Sequence, residues 1–160
     1  MRTFIGAVGR LKHGPAQSLC ADYLKRVELQ GRALGLRATT VHEIPESQKS
    51  TAAARCAEEA ERMLSAVPAG AFVCALDERG TLLTSRDFAA RIARLLDEGT
   101  GDLVLLIGGP DGHGPEVLAR ADLVLSFGPM TWPHMLARAM LAEQLYRAVT
   151  ILANHPYHRE

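Results

Sequence analysis

Two glycine-rich turns and a late cluster of histidines carry most of the chemistry this sequence can offer. The first turn, Gly108-Gly-Pro-Asp-Gly112, follows the apolar run Leu103-Val-Leu-Leu-Ile107 and leads through His113 and Gly114 into Pro115-Glu116. Glycine lets a backbone approach a ligand closely, and proline fixes one φ. Pro115 and Glu116 suit the first turn of a helix. A strand, a glycine-rich turn and a helix in that order place the turn at the edge where open α/β sheets bind ligands. The second turn, Gly128-Pro-Met-Thr-Trp-Pro133, ends another apolar run, residues 121–127. Two neighbouring strands ending in such loops can wall one pocket. The glycines spell neither G-x-G-x-x-G nor a P-loop, so a tight turn without a ligand is the alternative.

Four of the six histidines, His113, His134, His155 and His158, lie beyond residue 110. No H-x-x-x-H pair or carboxylate-flanked triad accompanies them, so no metal is expected. His134 reads either as a first-turn residue bonded to backbone, or as a base or RNA contact. Tyr157-His158-Arg159 reads either as a frayed end or as a ring to stack on a base, an imidazole, and a fork for a phosphate. There is no G-x-S-x-G, and no cysteine neighbours a loop histidine.

The elements that must position these groups alternate. The chain has 160 residues, 48% of them hydrophobic, which suits one folded domain. Eighteen Lys and Arg balance eighteen Asp and Glu, and neither half of the chain is basic. A nucleic-acid partner would therefore need a local or composite patch. Cys20, Cys56 and Cys74 are far apart and form no C-x-x-C, as expected for thiols in a reducing cytosol. The N-terminus has no signal-peptide logic and no stretch spans a membrane, so the expected location is the cytoplasm and no membrane partner is expected.

Strands are expected at residues 2–8, 37–44, 71–76, 103–107 and from Leu123, with a turn at 77–80. Helices are expected from Pro15 to about Leu34, over 51–67, from a Thr84 or Ser85 cap to about Leu96, and briefly from Pro115. In the last helix Thr131 can cap, Pro133 sits in the first turn, and Asn154 and Pro156 end it. This alternation predicts an α/β fold, a mostly parallel sheet flanked by helices. The strand order is left open.

Leu105-Leu-Ile-Gly-Gly-Pro-Asp-Gly112, Thr131-Trp-Pro-His134, Glu143-Gln-Leu-Tyr-Arg147 and the ending Asn154-His-Pro-Tyr-His-Arg-Glu160 together resemble the ribosomal RNA large-subunit methyltransferases of the SPOUT superfamily. The resemblance covers the whole chain and is most specific in its C-terminal part. It implies one domain over residues 1–160 with a C-terminal trefoil (α/β) knot, which no sequence argument would propose. It implies S-adenosylmethionine as cofactor, bound by Leu76, Gly108 and the loop Phe127, Gly128, Pro129, Met130, Thr131 and Trp132. That loop is bulkier than the family's Leu-Ser-x-Leu-Thr-Leu run. It also implies a homodimer with the pocket close to the partner subunit. The implied substrate is a pseudouridine in a hairpin loop of 23S rRNA, methylated at N3 on the assembled ribosome.

Such a transfer needs in-line approach of N3 to the methyl carbon and loss of the N3 proton. Positioning can supply about 7–11 kcal/mol and a general base roughly 10²–10⁴-fold, so geometry should dominate. Candidates for base or orienting group are His134, Tyr157 and His158. Arg138, Arg147 and Arg159 are candidate phosphate contacts. In a dimer, Arg10 and Lys12 of one subunit would sit near the other's pocket. Two rivals stand beside this reading: an α/β nucleotide-binding enzyme using the first turn for phosphate, and a non-catalytic ribosome-associated assembly factor.

Overall fold

The computed structural model describes residues 1–158. Five parallel strands form one sheet in the order β2-β1-β4-β3-β5. They are β1 (Arg2–Val8), β2 (Thr39–Ile44), β3 (Phe72–Leu82), β4 (Asp102–Ile107) and β5 (Leu123–Ser126). The helices are α1 (Pro15–Gly31), α2 (Ala52–Ser65), α3 (Ser85–Asp97), α4 (Pro115–Arg120) and α5 (His134–Leu152). The expected alternation is present. The strand order places β4, the most apolar strand, at the centre.

β4 shows why both faces need helices. Leu103, Leu105 and Ile107 pack with Phe88, Ile92, Leu141 and Leu145 from α3 and α5. Val104 and Leu106 point the other way, onto Met63 of α2 and Val117 of α4. A strand apolar from Leu103 to Ile107 suits a sheet covered on both sides. α5 is buried around most of its circumference, lying against both α1 and α3.

Local chemistry sets most helix starts. Thr51 caps α2 by accepting from the Ala54 N–H. Thr84 and Asp87 form a reciprocal capping box on α3, worth about 1 kcal/mol. The expected Thr131 cap on α5 is corrected. Pro133 occupies the N-cap position, without a side-chain cap, and its carbonyl accepts from the Ala137 N–H at 3.0 Å. A proline-set entry replaces the hydroxyl cap here.

The second correction is at β3. The expected turn at 77–80 is instead part of a strand that continues to Leu82. Cys74, Ala75 and Leu76 pair with Leu123, Val124 and Leu125; Thr81 and Leu82 then pair with Leu125 and Ser126. Residues 77–80 bulge out between two arms that both hold β5. The Ser126 hydroxyl donates to the Glu78 carbonyl at 3.0 Å. A Cβ on Gly80 would lie 2.7 Å from the Val124 oxygen and the Leu125 carbon, so only glycine permits this backbone crossing. Turn residues predicted a reversal; pairing with β5 overrode it.

Candidate functional site

The bulge of β3, the carboxyl ends of β4 and β5 and the start of α5 open into one cleft of about 710 Å³. Leu76 enters from β3 and Gly108 from the turn after β4. Phe127, Gly128, Met130, Thr131 and Trp132 come from the loop after β5, with His134 at the first position of α5. These residues, separate in sequence, share one cavity. Pro129 is exposed and does not line it.

The turn after β4 forms the firm wall. The Gly112 N–H donates to the Gly109 carbonyl at 3.0 Å. A Cβ on Gly108 would lie 2.8 Å from the Gly112 carbonyl carbon and oxygen. Gly108 is therefore required by the turn's own packing, in addition to any approach by a ligand. The side chain of Asp111 is held by Arg55, whose hydrogen bond keeps the carboxyl below its ordinary pKa. His113 closes the back of the turn. Burial lowers its pKa, against the opposing pull of the Leu106 and Leu76 backbone and the Asp77 charge.

The opposite wall offers bare backbone. Gly128 has φ 108° and nothing within 4 Å of where a Cβ would stand. Gly112, with φ 80°, faces open space in the same way. Apolar Leu76, Ile107, Leu125 and Phe127 line the interior, and Asp77 and Glu78 add carboxylates on the β3 bulge. Burial raises the Asp77 pKa, but bonds from the Arg79 backbone and side chain outweigh it and leave the carboxyl below its ordinary value. An apolar cavity with exposed backbone polar groups suits a nucleoside carrying a charged chain.

The basic turn leaves β1 at the mouth of the same cleft. A Cβ on Gly9 would lie 3.5 Å from His134 Nε2 and 2.8 Å from Glu46 Oε1. Arg10 and Lys12 follow it and are exposed. The turn thus adjoins the cleft of its own chain.

Arg138 is a correction. It is 1% exposed, and its guanidinium donates to Glu43 Oε1 at 2.8 Å and to the Gly9 carbonyl at 2.9 Å. Glu43 Oε1 also accepts from the Leu11 N–H at 2.6 Å. Buried and spent on these partners, Arg138 has no fork left for a phosphate; it pins the root of the basic turn. Its helical position on an apolar stripe was the available signal. Arg147 is engaged as well, with Nε donating to Glu143 Oε1 at 2.9 Å and its guanidinium over the Tyr157 ring.

The tail is not frayed at Tyr157. Its ring packs edge-on against Tyr146 at 4.7 Å, and its hydroxyl donates to Glu143 Oε1 at 3.1 Å. Burial, the bond to Tyr23 and the Glu143 charge push the Tyr157 phenol above its ordinary pKa. Held on Glu143, the Tyr157 hydroxyl is not turned to the cleft of its own chain. His158 is half-buried, with both ring nitrogens shielded and without hydrogen-bond partners among the described residues. Neither residue lines the cleft of its own chain. Arg159 lies outside the described residues. Sequence reasoning missed Arg55 and Glu43, which reach their partners only through the folded chain.

Among the described residues no group of three or more His, Cys, Asp or Glu is placed to hold a metal ion. No helix there is long and apolar enough to cross a membrane.

The chain is 54% identical over 159 residues to the ribosomal RNA large subunit methyltransferase H of Brucella anthropi, covering 99% of each chain. The protein of the same name from Ruegeria pomeroyi is also 54% identical, with 99% of each chain covered. A solved structure of a probable methylase family protein from Haemophilus influenzae is 14% identical, with a TM-score of 0.49, over 99% of this chain and 70% of that one. The family model described as "Predicted SPOUT methyltransferase" matches residues 1–158, and with relatives this similar along the whole length the chain belongs to the SPOUT methyltransferase family, the α/β-knot class.

Proposed function

We propose that this protein methylates large-subunit ribosomal RNA with S-adenosylmethionine, at N3 of a pseudouridine in 23S rRNA on the assembled ribosome in the cytoplasm. The observation that carries the reading is the single cleft that gathers Leu76, Gly108, Phe127, Gly128, Met130, Thr131, Trp132 and His134 from four elements. The bare backbone at Gly112 and Gly128 fits the cofactor, because a side chain at either place would occupy the space it needs. When bound, S-adenosylmethionine supplies a methyl carbon already attached to a sulfonium leaving group. The chain's task is then to orient the acceptor, exclude water and receive one proton. His113 and His134 are the imidazoles lining the cleft, and His134, at the first position of α5, is the candidate to receive that proton. Arg10 and Lys12, at the cleft mouth, supply charge for a phosphate backbone.

A homodimer belongs to the same reading. Leu19, Leu82 and Leu136 are 48%, 68% and 45% exposed around a second, apolar groove of about 590 Å³ that shares Phe127 and Gly128 with the cleft. A second copy covering this groove would remove that surface from water. The test is incubation of ribosomes lacking the modification with methyl-labelled cofactor, followed by mapping of the label in 23S rRNA. Label at N3 of one pseudouridine is expected. Ribosome binding without label would favour the assembly-factor alternative, and a monomer by light scattering would remove the dimer.

A further inference from the structure

Part of the firmness of the glycine turn comes from outside it. The Asp111 carboxylate is gripped by Arg55 of α2, with Nε 2.7 Å from Oδ2 and the second terminal nitrogen 3.1 Å from Oδ1. Both side chains are largely covered, at 29% and 28% exposure. The remaining terminal nitrogen of Arg55 donates to the Lys49 carbonyl at 3.1 Å and the Ser50 carbonyl at 3.4 Å. The guanidinium is therefore fixed on both sides: to the chain entering α2, and to the turn after β4. One residue on, the Cys56 thiol lies 3.6 Å from the Asp111 carbonyl oxygen. Asp111, Gly108 and Gly112 line the cleft, whereas Arg55 does not.

We propose that Arg55 is a positioning residue for the cofactor: its two-pronged grip on Asp111 holds the Gly108–Gly112 backbone in the shape that the cofactor binds. This rests on the reading of the cleft as the S-adenosylmethionine site. Without the grip, the turn keeps its own Gly112–Gly109 bond and the weak Cys56 thiol contact but loses its charged, two-pronged tie to α2, and binding must then order it. That ordering cost weakens affinity, because preorganisation is what a fixed binding loop contributes. The planar fork matters as well as the charge. Lysine would supply one point charge and could not hold both carboxylate oxygens and two carbonyls together.

The test is calorimetry of S-adenosylmethionine binding, with steady-state kinetics on ribosomes, for the full-length wild type, Arg55→Ala, Arg55→Lys, Asp111→Asn and the Arg55→Ala/Asp111→Asn double variant. Arg55→Ala is expected to weaken cofactor binding and raise KM for the cofactor about tenfold, the scale of the ordering cost of one immobilised side chain. At saturating cofactor, kcat should stay within about twofold, because no Arg55 atom meets the reacting groups. The melting temperature should move little, since a partly exposed ion pair adds little to stability. Arg55→Lys should remain weak. The double variant should bind no more weakly than Arg55→Ala alone, as two ends of one contact must. Wild-type affinity in Arg55→Ala or Arg55→Lys overturns the proposal, and so do additive losses in the double variant. A variant that melts far earlier yet binds normally marks Arg55 as a structural prop and overturns it too. A wild type that fails to bind S-adenosylmethionine overturns the reading of the cleft itself.

Discussion

The two walls of the cleft are built in opposite ways. The turn after β4 is braced by its internal Gly109–Gly112 bond, by Arg55 on Asp111 and by the packing of Gly108 against Gly112. The loop after β5 has one local device, the Ser126 hydroxyl accepting from the Gly128 N–H at 3.0 Å. Beyond it, Met130 and Trp132 remain 69% and 40% exposed. The first wall is finished by its own chain, while the second presents large apolar side chains that gain their burial from something else. A site that must hold a small cofactor and then admit an RNA needs both: one surface preset, and one completed by ligand or partner.

The strongest way to break this contrast is to spoil the preset wall. Gly108→Val puts a branched side chain where backbone atoms stand 2.8 Å away. It should destabilise the fold by about 1–3 kcal/mol and remove measurable cofactor binding. Thermal melting and calorimetry together decide it; a normal melt with normal affinity would mean that the turn has slack. The matching change on the open wall is Trp132→Ala. Because Trp132 is exposed, the melt should be unchanged, while cofactor affinity should fall several-fold from the loss of apolar cover. A large drop in melting temperature would show that this wall, too, is braced by its own chain.

The smallest expected effect sharpens the contrast through pH. His113, which follows the preset turn and lines the cleft, has its pKa lowered by burial from an ordinary 6.5. The unfolded chain then takes up this proton at a higher pH than the folded one. Its contribution to stability is complete above about pH 6.5 and is lost as pH falls through the folded value. His113→Gln should therefore lose less melting temperature than the wild type between about pH 7.5 and about pH 5. Parallel slopes for the two proteins would show that His113 is not the group titrating.

The sequence alone determined what depends on near neighbours. Alternating apolar runs and turn residues set the strands and helices, and the Leu105–Gly112, Thr131–His134 and tail motifs marked the family resemblance. The two loops that wall the cleft were legible because glycine and proline act on their own backbone. Tertiary structure decided what depends on residues far apart. The order β2-β1-β4-β3-β5 follows from which apolar faces can be covered together. The continuation of β3 through a polar turn-like stretch depends on β5 reaching both of its arms at Gly80. Arg138 sits on the apolar stripe of α5, but only the fold brings Glu43 and Gly9 around its charge. Arg55 and Asp111, 56 positions apart, meet only once α2 is docked on the sheet. Local propensity is carried by each residue's own backbone and side chain, whereas a buried charge or a shared wall is defined by which distant groups remain to satisfy it.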